Sequence, residues 1–272
     1  MKKKLLSAML SVLLFTSMFI MPVSAVPDEP DDYLSSMSTE DKISQMIMPA
    51  FRYYIDEEGD WTNVTEITDD IEAALEKHSF GGVILFGQNT PTNEGTTRLT
   101  DAMQKANAKG GDRPQLLITI DQEGGDVTRL GQGTVTPGNM ALGAANDTAL
   151  TKEAASIIGS ELSAVGVNAD FAPDVDVNNN PANPVIGVRS FSDDPQIVAE
   201  QGAAFVQALN EAGVISTLKH FPGHGDTDTD SHTGLPLINK SYHEIKQNEL
   251  IPFQACIDAG SQMIMTAHIQ YP

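Results

Sequence analysis

Short continuous apolar runs alternate along the chain with longer segments whose apolar residues recur at helical spacing. The runs fall at 45–48, 82–86, 116–120, 167–171, 215–219 and 263–267, each of strand length. Between them lie amphipathic stretches at 69–78, 97–109, 150–165, 194–213 and 242–260, several followed by Gly, the residue that best ends a helix. A repeated strand–helix order implies a parallel sheet with right-handed crossovers. Strands buried on both faces explain why the runs are continuous rather than alternating. The polar residues of interest follow strand ends: Asp121 and Gln122 after the third, Asp174 and Asp176 after the fourth, His220 after the fifth and His268 after the sixth. That layout is expected of the active face of a barrel. The expected fold is therefore α/β, of the (β/α)8 TIM-barrel type and incomplete, with about six of eight strands present; a doubly wound open sheet is the alternative.

Composition narrows the partners. With 16 Lys+Arg against 37 Asp+Glu the formal net charge is −21, which argues against nucleic acid and against an anionic membrane surface. Hydrophobic residues at 40% and charged residues at 19% fit a packed globular chain. Lys2 to Lys4, the apolar run 5–21 and the small residues Val23-Ser24-Ala25 read as a secretory signal peptide over 1–25, with no stable membrane anchor in the mature protein. Residues 26–33 read as an exposed leader and 34–272 as the barrel. The protein is expected to be secreted, extracellular or associated with a bacterial cell wall. The single Cys256 excludes an intrachain disulfide, so stability must come from the core. The oligomeric state is not legible.

The chemistry concentrates in 219–232, which holds three His, three Asp and a Lys, with Gly and Pro suited to a shaped loop. Lys219 and His220 end a strand and would be rigid, while Asp230 and His232 lie on the following loop. A nearby Asp can orient an imidazole for general acid/base work. Metal binding by His220, His224, Asp226, Asp230 and His232 is a competing reading, weakened by the lack of a short helical ligand pair, and no metal or cofactor is expected. The plainest alternative is a solvated acidic loop. Lys219, at a strand end inside a barrel, needs a buried partner or a ligand. Asp121 also suits a turn cap, Arg129 and Arg189 also suit surface ion pairs, and His268 reads as a core or supporting residue rather than a catalytic one.

The run 219–232, followed by Thr233-Gly234-Leu235-Pro236, resembles the signature of glycoside hydrolase family 3, in its branch of bacterial β-N-acetylhexosaminidases acting on cell-wall sugars. Gly81-Gly82-Val83-Ile84-Leu85-Phe86, Asp121-Gln122-Glu123-Gly124-Gly125, Phe171-Ala172-Pro173-Asp174-Val175-Asp176, the stretch 183–191 and Met265-Thr266-Ala267-His268 agree, so the likeness covers 34–272. It implies a retaining exo-β-N-acetylglucosaminidase in which His232 is the general acid/base, Asp230 its partner, and Asp121, Arg129, Arg189, Lys219 and His220 bind the terminal N-acetylglucosamine. The implied substrates are muropeptides or chitin-derived oligosaccharides. A β-glucosidase, a phosphorylase and an inactive sugar-binding fragment are the alternatives. Asp126 departs from the basic or apolar residue often found there in relatives. The resemblance also places the Asp nucleophile on a seventh strand, downstream of Met265-Thr266-Ala267-His268, so the sequence is expected to be truncated before it.

Overall fold

In the computed structural model, residues 30–229 and 234–271 are described. The expected signal peptide, the first half of the leader (26–29) and the pair Asp230 and His232 lie outside the described residues. The chain divides into two compact units, Met1–Lys42 and Ile43–Pro272. In the first, helix α1 (Pro30–Ser36) is followed by the start of α2 (Thr39–Gln45), where Ser38 Oγ accepts the Asp41 N–H at 3.1 Å. That satisfies one of the donors a helix start leaves unpaired.

The second unit opens with an antiparallel hairpin, β1 (Tyr53–Ile55) and β2 (Trp61–Asn63). After it come α3 (Asp69–Lys77), β3 (Gly82–Ile84), α4 (Asn93–Lys109), β4 (Leu117–Ile120), α5 (Asn139–Ala145), α6 (Thr148–Ala164) and β5 (Ala169–Asp170). The rest is a 3-10 turn (Gly187–Arg189), α7 (Pro195–Glu211), β6 (Ile215–Phe221), α8 (Tyr242–Gln247), α9 (Leu250–Asp258) and β7 (Met263–Thr266). Strands β3 to β7 form one parallel sheet in chain order, curled into a half-barrel. A doubly wound sheet reverses its strand order at a switch point, so this sequential order excludes it.

Five of the six expected runs are strands. The first, at 45–48, is not: Gln45 closes α2, and the extended chain beside β3 accepts hydrogen bonds from Gly81 N to Ile47 O and from Ile84 N to Pro49 O, both at 3.1 Å. It runs parallel to β3, but Pro49 has no N–H to return to the ladder. The expected helix over 242–260 is two helices. Pro252 lacks the N–H that would bond to Asn248 O, and its ring is tolerated only in the first turn of a new helix, where α9 places it.

The core explains the strand sequences. Val83, Leu85, Ile118, Ile120 and Leu218 are all buried, packed with Leu99 and Met103 of α4, Ile158 and Leu162 of α6, and Phe205 and Leu209 of α7. Outside the sheet α6 packs on α7, α7 on α9, and α3 on α4. N-caps set the helix starts: Thr68, Thr92, Asp147, Asp194 and Ser241 each accept a backbone N–H of the first turn. Among the described residues no helix is long and apolar enough to cross a membrane.

Candidate active site

The segment after β4 carries Asp121, Gln122 and Glu123 into a tight turn. Gly124 and Gly125 take φ of +84° and +54°, where a side chain is strained, and a Cβ on Gly125 would meet Gly138 Cα at 2.7 Å. The buried Gln122 closes this turn, its Oε1 accepting the N–H of Arg129 at 2.7 Å and of Leu130 at 3.2 Å. Arg129 is thereby returned to the same end of the sheet as Asp121. After β5 the chain runs on beside β6, with Val175 N bonded to Lys219 O at 2.9 Å. Asn183 then ties two loops together: its Oδ1 accepts from Val185 and Ile186 N–H, and its Nδ2 donates to His224 O and Gly225 O. Asn139 Nδ2 donates to Arg189 O at 2.7 Å, which fixes the 3-10 turn bearing Arg189.

These elements assemble a buried ion network. Arg189 grips Glu123 with two parallel bonds, Nε to Oε2 at 2.9 Å and Nη2 to Oε1 at 2.7 Å, the fork geometry guanidinium favours. Lys219 is only 1% exposed, and its Nζ lies 2.5 Å from Glu123 Oε1 and 2.9 Å from Asp121 Oδ1. Burial alone would raise the Glu123 carboxyl, but Lys219 and Arg189 outweigh it and hold it at about 2. Burial likewise opposes the Lys219 and Arg189 charges, and the carboxylates around each raise both above their ordinary values.

A second knot sits beside it. Asp176 Oδ1 accepts the backbone N–H of His220 at 3.2 Å and of His224 at 2.6 Å, while its Oδ2 lies 2.7 Å from His220 Nδ1. Burial lowers the His220 imidazole to about 4, against the pull of the Asp174 carboxylate. The ring is therefore neutral at neutral pH, donating from Nδ1 to Asp176 and leaving Nε2 as an acceptor. Burial pushes Asp174 and Asp176 upward, Asp174 also through repulsion from Asp176, while the two backbone donors restrain Asp176. Asp170, fully buried at the end of β5, is raised well above the usual carboxylate range by burial. The peptide bonds Ala172–Pro173, Lys219–His220 and Phe221–Pro222 are cis.

Asp121, Arg129, Arg189, Lys219 and His220 all line one cavity of about 410 Å³ at the carboxyl ends of the strands, together with Phe86, Glu123, Phe171 and His224. His268 lines it too. It is exposed at the end of β7 rather than part of the core. A neighbouring cavity of about 440 Å³ shares Glu123 and Arg189 but is otherwise mostly Gly, Ala, Met and Val.

Among the described residues, the cluster suited to a metal ion is Asp174, Asp176 and His220, with ligand atoms within 4.8 Å of one another. Of the other ligands considered from sequence, Asp226 pairs with Lys240 at 2.8 Å, and His224 Nδ1 is bonded to Thr227 Oγ1 at 2.8 Å. Both Asp176 oxygens are already engaged, so an ion there would have to displace the bonds that hold His220 and His224. The plainer role of this cluster is to orient the imidazole.

Glu123 and Asp176 were not singled out by role from the sequence. The signal for Glu123 was present: the strand-end Lys219 must meet buried counter-charge, and Glu123 stands two residues beyond Asp121.

The sequence profile described as "Glycosyl hydrolase family 3 N terminal domain" matches residues 38–272. The chain belongs to glycosyl hydrolase family 3. The beta-hexosaminidase A of Pseudoalteromonas piscicida is 45% identical to it over 248 residues, covering 87% of this chain and 41% of that protein. The solved family 3 β-N-acetylglucosaminidase from Paenibacillus sp. str. FPU-7 superposes with a TM-score of 0.80 at 44% identity, covering 87% of this chain and 43% of that one. NagZ from Neisseria gonorrhoeae, solved in complex with N-trifluoroacetyl-D-glucosamine, superposes with a TM-score of 0.72 at 30% identity, over 83% of this chain and 64% of that one. The chain thus spans about two fifths of the length of the first two.

Proposed function

We propose that this chain provides the sugar-binding half-barrel of an exported, retaining exo-β-N-acetylglucosaminidase that removes terminal N-acetylglucosamine from chitin-derived oligosaccharides or muropeptides. The observation that carries this reading is the convergence of Asp121, Arg129, Arg189, Lys219 and His220 on one cavity of about 410 Å³. Charged donors and acceptors locked by packing suit the hydroxyls of a polar ring. Lys219 and Arg189 donate, Asp121 accepts, and the neutral His220 offers Nε2 to a hydroxyl hydrogen. The names of the related hexosaminidases and glucosaminidases support the same substrate class.

In this proposal His232, oriented by Asp230, protonates the leaving oxygen and then activates water, and a carboxylate expected on the strand after β7 attacks the anomeric carbon. The loop bearing the pair leaves β6 through His224 and Gly225, where Asp176 and Asn183 pin it. Gly225 is required there, since a Cβ would lie 1.7 Å from Val177 O.

The test is the full product of the coding region assayed with aryl β-N-acetylglucosaminide and aryl β-glucoside, with and without phosphate. Faster release from the N-acetylglucosaminide, as free sugar, is expected. Preference for the glucoside, or formation of a sugar phosphate, would overturn the substrate or the reaction. Export is tested separately: the secreted protein is expected to begin at Val26, and retention of residues 1–25 would contradict it.

A further inference from the structure

The hairpin β1–β2 presents an aromatic surface that the sugar cleft does not use. Tyr53, Ile55 and Trp61 share one face of the hairpin and are 41%, 62% and 74% exposed. Trp61, the only tryptophan in the chain, meets Tyr53 edge to face with ring centroids 6.1 Å apart. Two neighbouring aromatics and an isoleucine exposed on one hairpin face form the kind of apolar patch that binding surfaces use.

The hairpin is well built. Asp56 accepts the Asp60 N–H at 2.8 Å and the Thr62 hydroxyl at 2.7 Å, so the turn is closed by side chains. It is also joined to the cleft. The Arg52 guanidinium lies 3.9 Å over the ring of Phe86, which lines the cavity, and 5.9 Å from the Tyr53 ring. Gln88 Nε2 donates to the Tyr53 hydroxyl at 2.9 Å. The hairpin follows the extended segment that runs parallel to β3, so it leaves at the carboxyl ends of the strands, where the cleft opens.

We propose that Trp61 and Tyr53 form an outer subsite that stacks on the second and later sugars of an uncharged β-linked N-acetylglucosamine oligosaccharide whose terminal residue occupies the cleft. This rests on the cleft being the site of the terminal sugar. Pyranose rings offer apolar C–H faces that suit an exposed indole, and an aromatic ring gives large contact area at little entropic cost. Charge selects among the candidates. Asp56, Glu57, Glu58 and Asp60 crowd the hairpin tip, on a chain of net charge −21, and so repel an anionic muropeptide but not a neutral chitin-type chain.

Because Trp61 is the only tryptophan in these 272 residues, emission from this chain reports on this surface directly. The full chain is titrated with N-acetylglucosamine, with its β-1,4-linked tetramer and with an anionic N-acetylglucosaminyl-anhydromuramyl peptide, following Trp61 emission and, in parallel, heat. The tetramer is expected to give a saturable emission change that the monosaccharide does not. Trp61→Ala is expected to weaken the tetramer relative to the monosaccharide by about fivefold to tenfold. Monosaccharide binding seen by heat, with no emission response to the tetramer and no change of this ratio in Trp61→Ala, would overturn the outer subsite while leaving the cleft intact. An emission response to the tetramer without monosaccharide binding would keep the aromatic subsite and remove the cleft assignment. An equal or stronger response to the anionic peptide would overturn the preference for uncharged chains.

Discussion

The cleft floor and the hairpin carry their polar and aromatic groups in opposite ways. On the floor, Glu123, Lys219 and Asp176 are almost wholly buried, and each is held by partners from other elements. On the hairpin, Trp61 and Tyr53 stand in solvent on a turn closed by its own Asp56. A buried charge that loses its partner is left uncompensated in a poorly polarisable interior, whereas an exposed aromatic that is removed leaves only water behind. The floor is therefore constrained by folding and, on the proposed function, by sugar recognition as well, whereas the hairpin can vary without cost to the fold.

The largest effect expected on the floor is from Glu123→Gln, which keeps shape but leaves Lys219 and Arg189 without their shared counter-charge. It should cost about 3–5 kcal/mol in urea unfolding. A loss below about 1 kcal/mol would show that the network adds little to the fold.

Acid should expose the same contrast through His220. Its folded value of about 4 lies below the ordinary 6.5, so the fold favours the neutral ring. That contribution is complete above pH 6.5 and is lost as pH falls toward 4, where the unfolded chain binds a proton that the folded chain refuses. At about 1.4 kcal/mol per unit the loss reaches about 3 kcal/mol. The buried Asp170 and Asp174, raised by burial, have the opposite sign and are stabilising as pH falls. Comparison with His220→Gln isolates the imidazole: the stability of the native chain relative to this variant should fall between pH 6.5 and 4. A flat difference would mean that His220 is protonated in the fold.

Asp176→Asn should cost about 2 kcal/mol, since charged acceptance from two backbone N–H groups and a ring becomes neutral. It should also weaken sugar binding through a misoriented His220. Unaltered affinity in a folded variant would make Asp176 a purely structural residue. The smallest effect is expected from Trp61→Ala, within about 0.5 kcal/mol of the native stability. A larger loss would mean that the hairpin belongs to the floor's cooperative unit.

The two regions also differ in how far the sequence revealed them. The runs that became β3, β4, β6 and β7 were legible because strands buried on both faces are continuously apolar, and their polar ends marked the side of the sheet that carries the cavity. The run at 45–48 misled because an apolar stretch before Pro49 fits a strand end and a helix end equally well. The split at Asn248 was signalled by Pro252, but an amphipathic period on both sides masked it. That Lys219 needs a buried partner follows from its position; that the partners are Asp121 and Glu123 depends on contacts about a hundred residues apart, which only the curled sheet creates. Asp230 and His232 were read from the family signature, and they lie outside the described residues. The exposure of Trp61 left no trace in the sequence, because Tyr53-Tyr54-Ile55 and Trp61 on either side of an acidic turn fit a buried hairpin as well as an exposed one.

The most direct test of the central claim, that the cavity between β4, β5 and β6 is the N-acetylglucosamine site, is calorimetric titration of the chain with N-acetylglucosamine at neutral pH, repeated with Arg129→Ala. Arg129 lines the cavity and, among the described residues, forms no ion pair, so its removal should spare the fold. One saturable site, weakened in Arg129→Ala, is the predicted result. The absence of saturable heat with the native chain, or binding indifferent to Arg129, would contradict it.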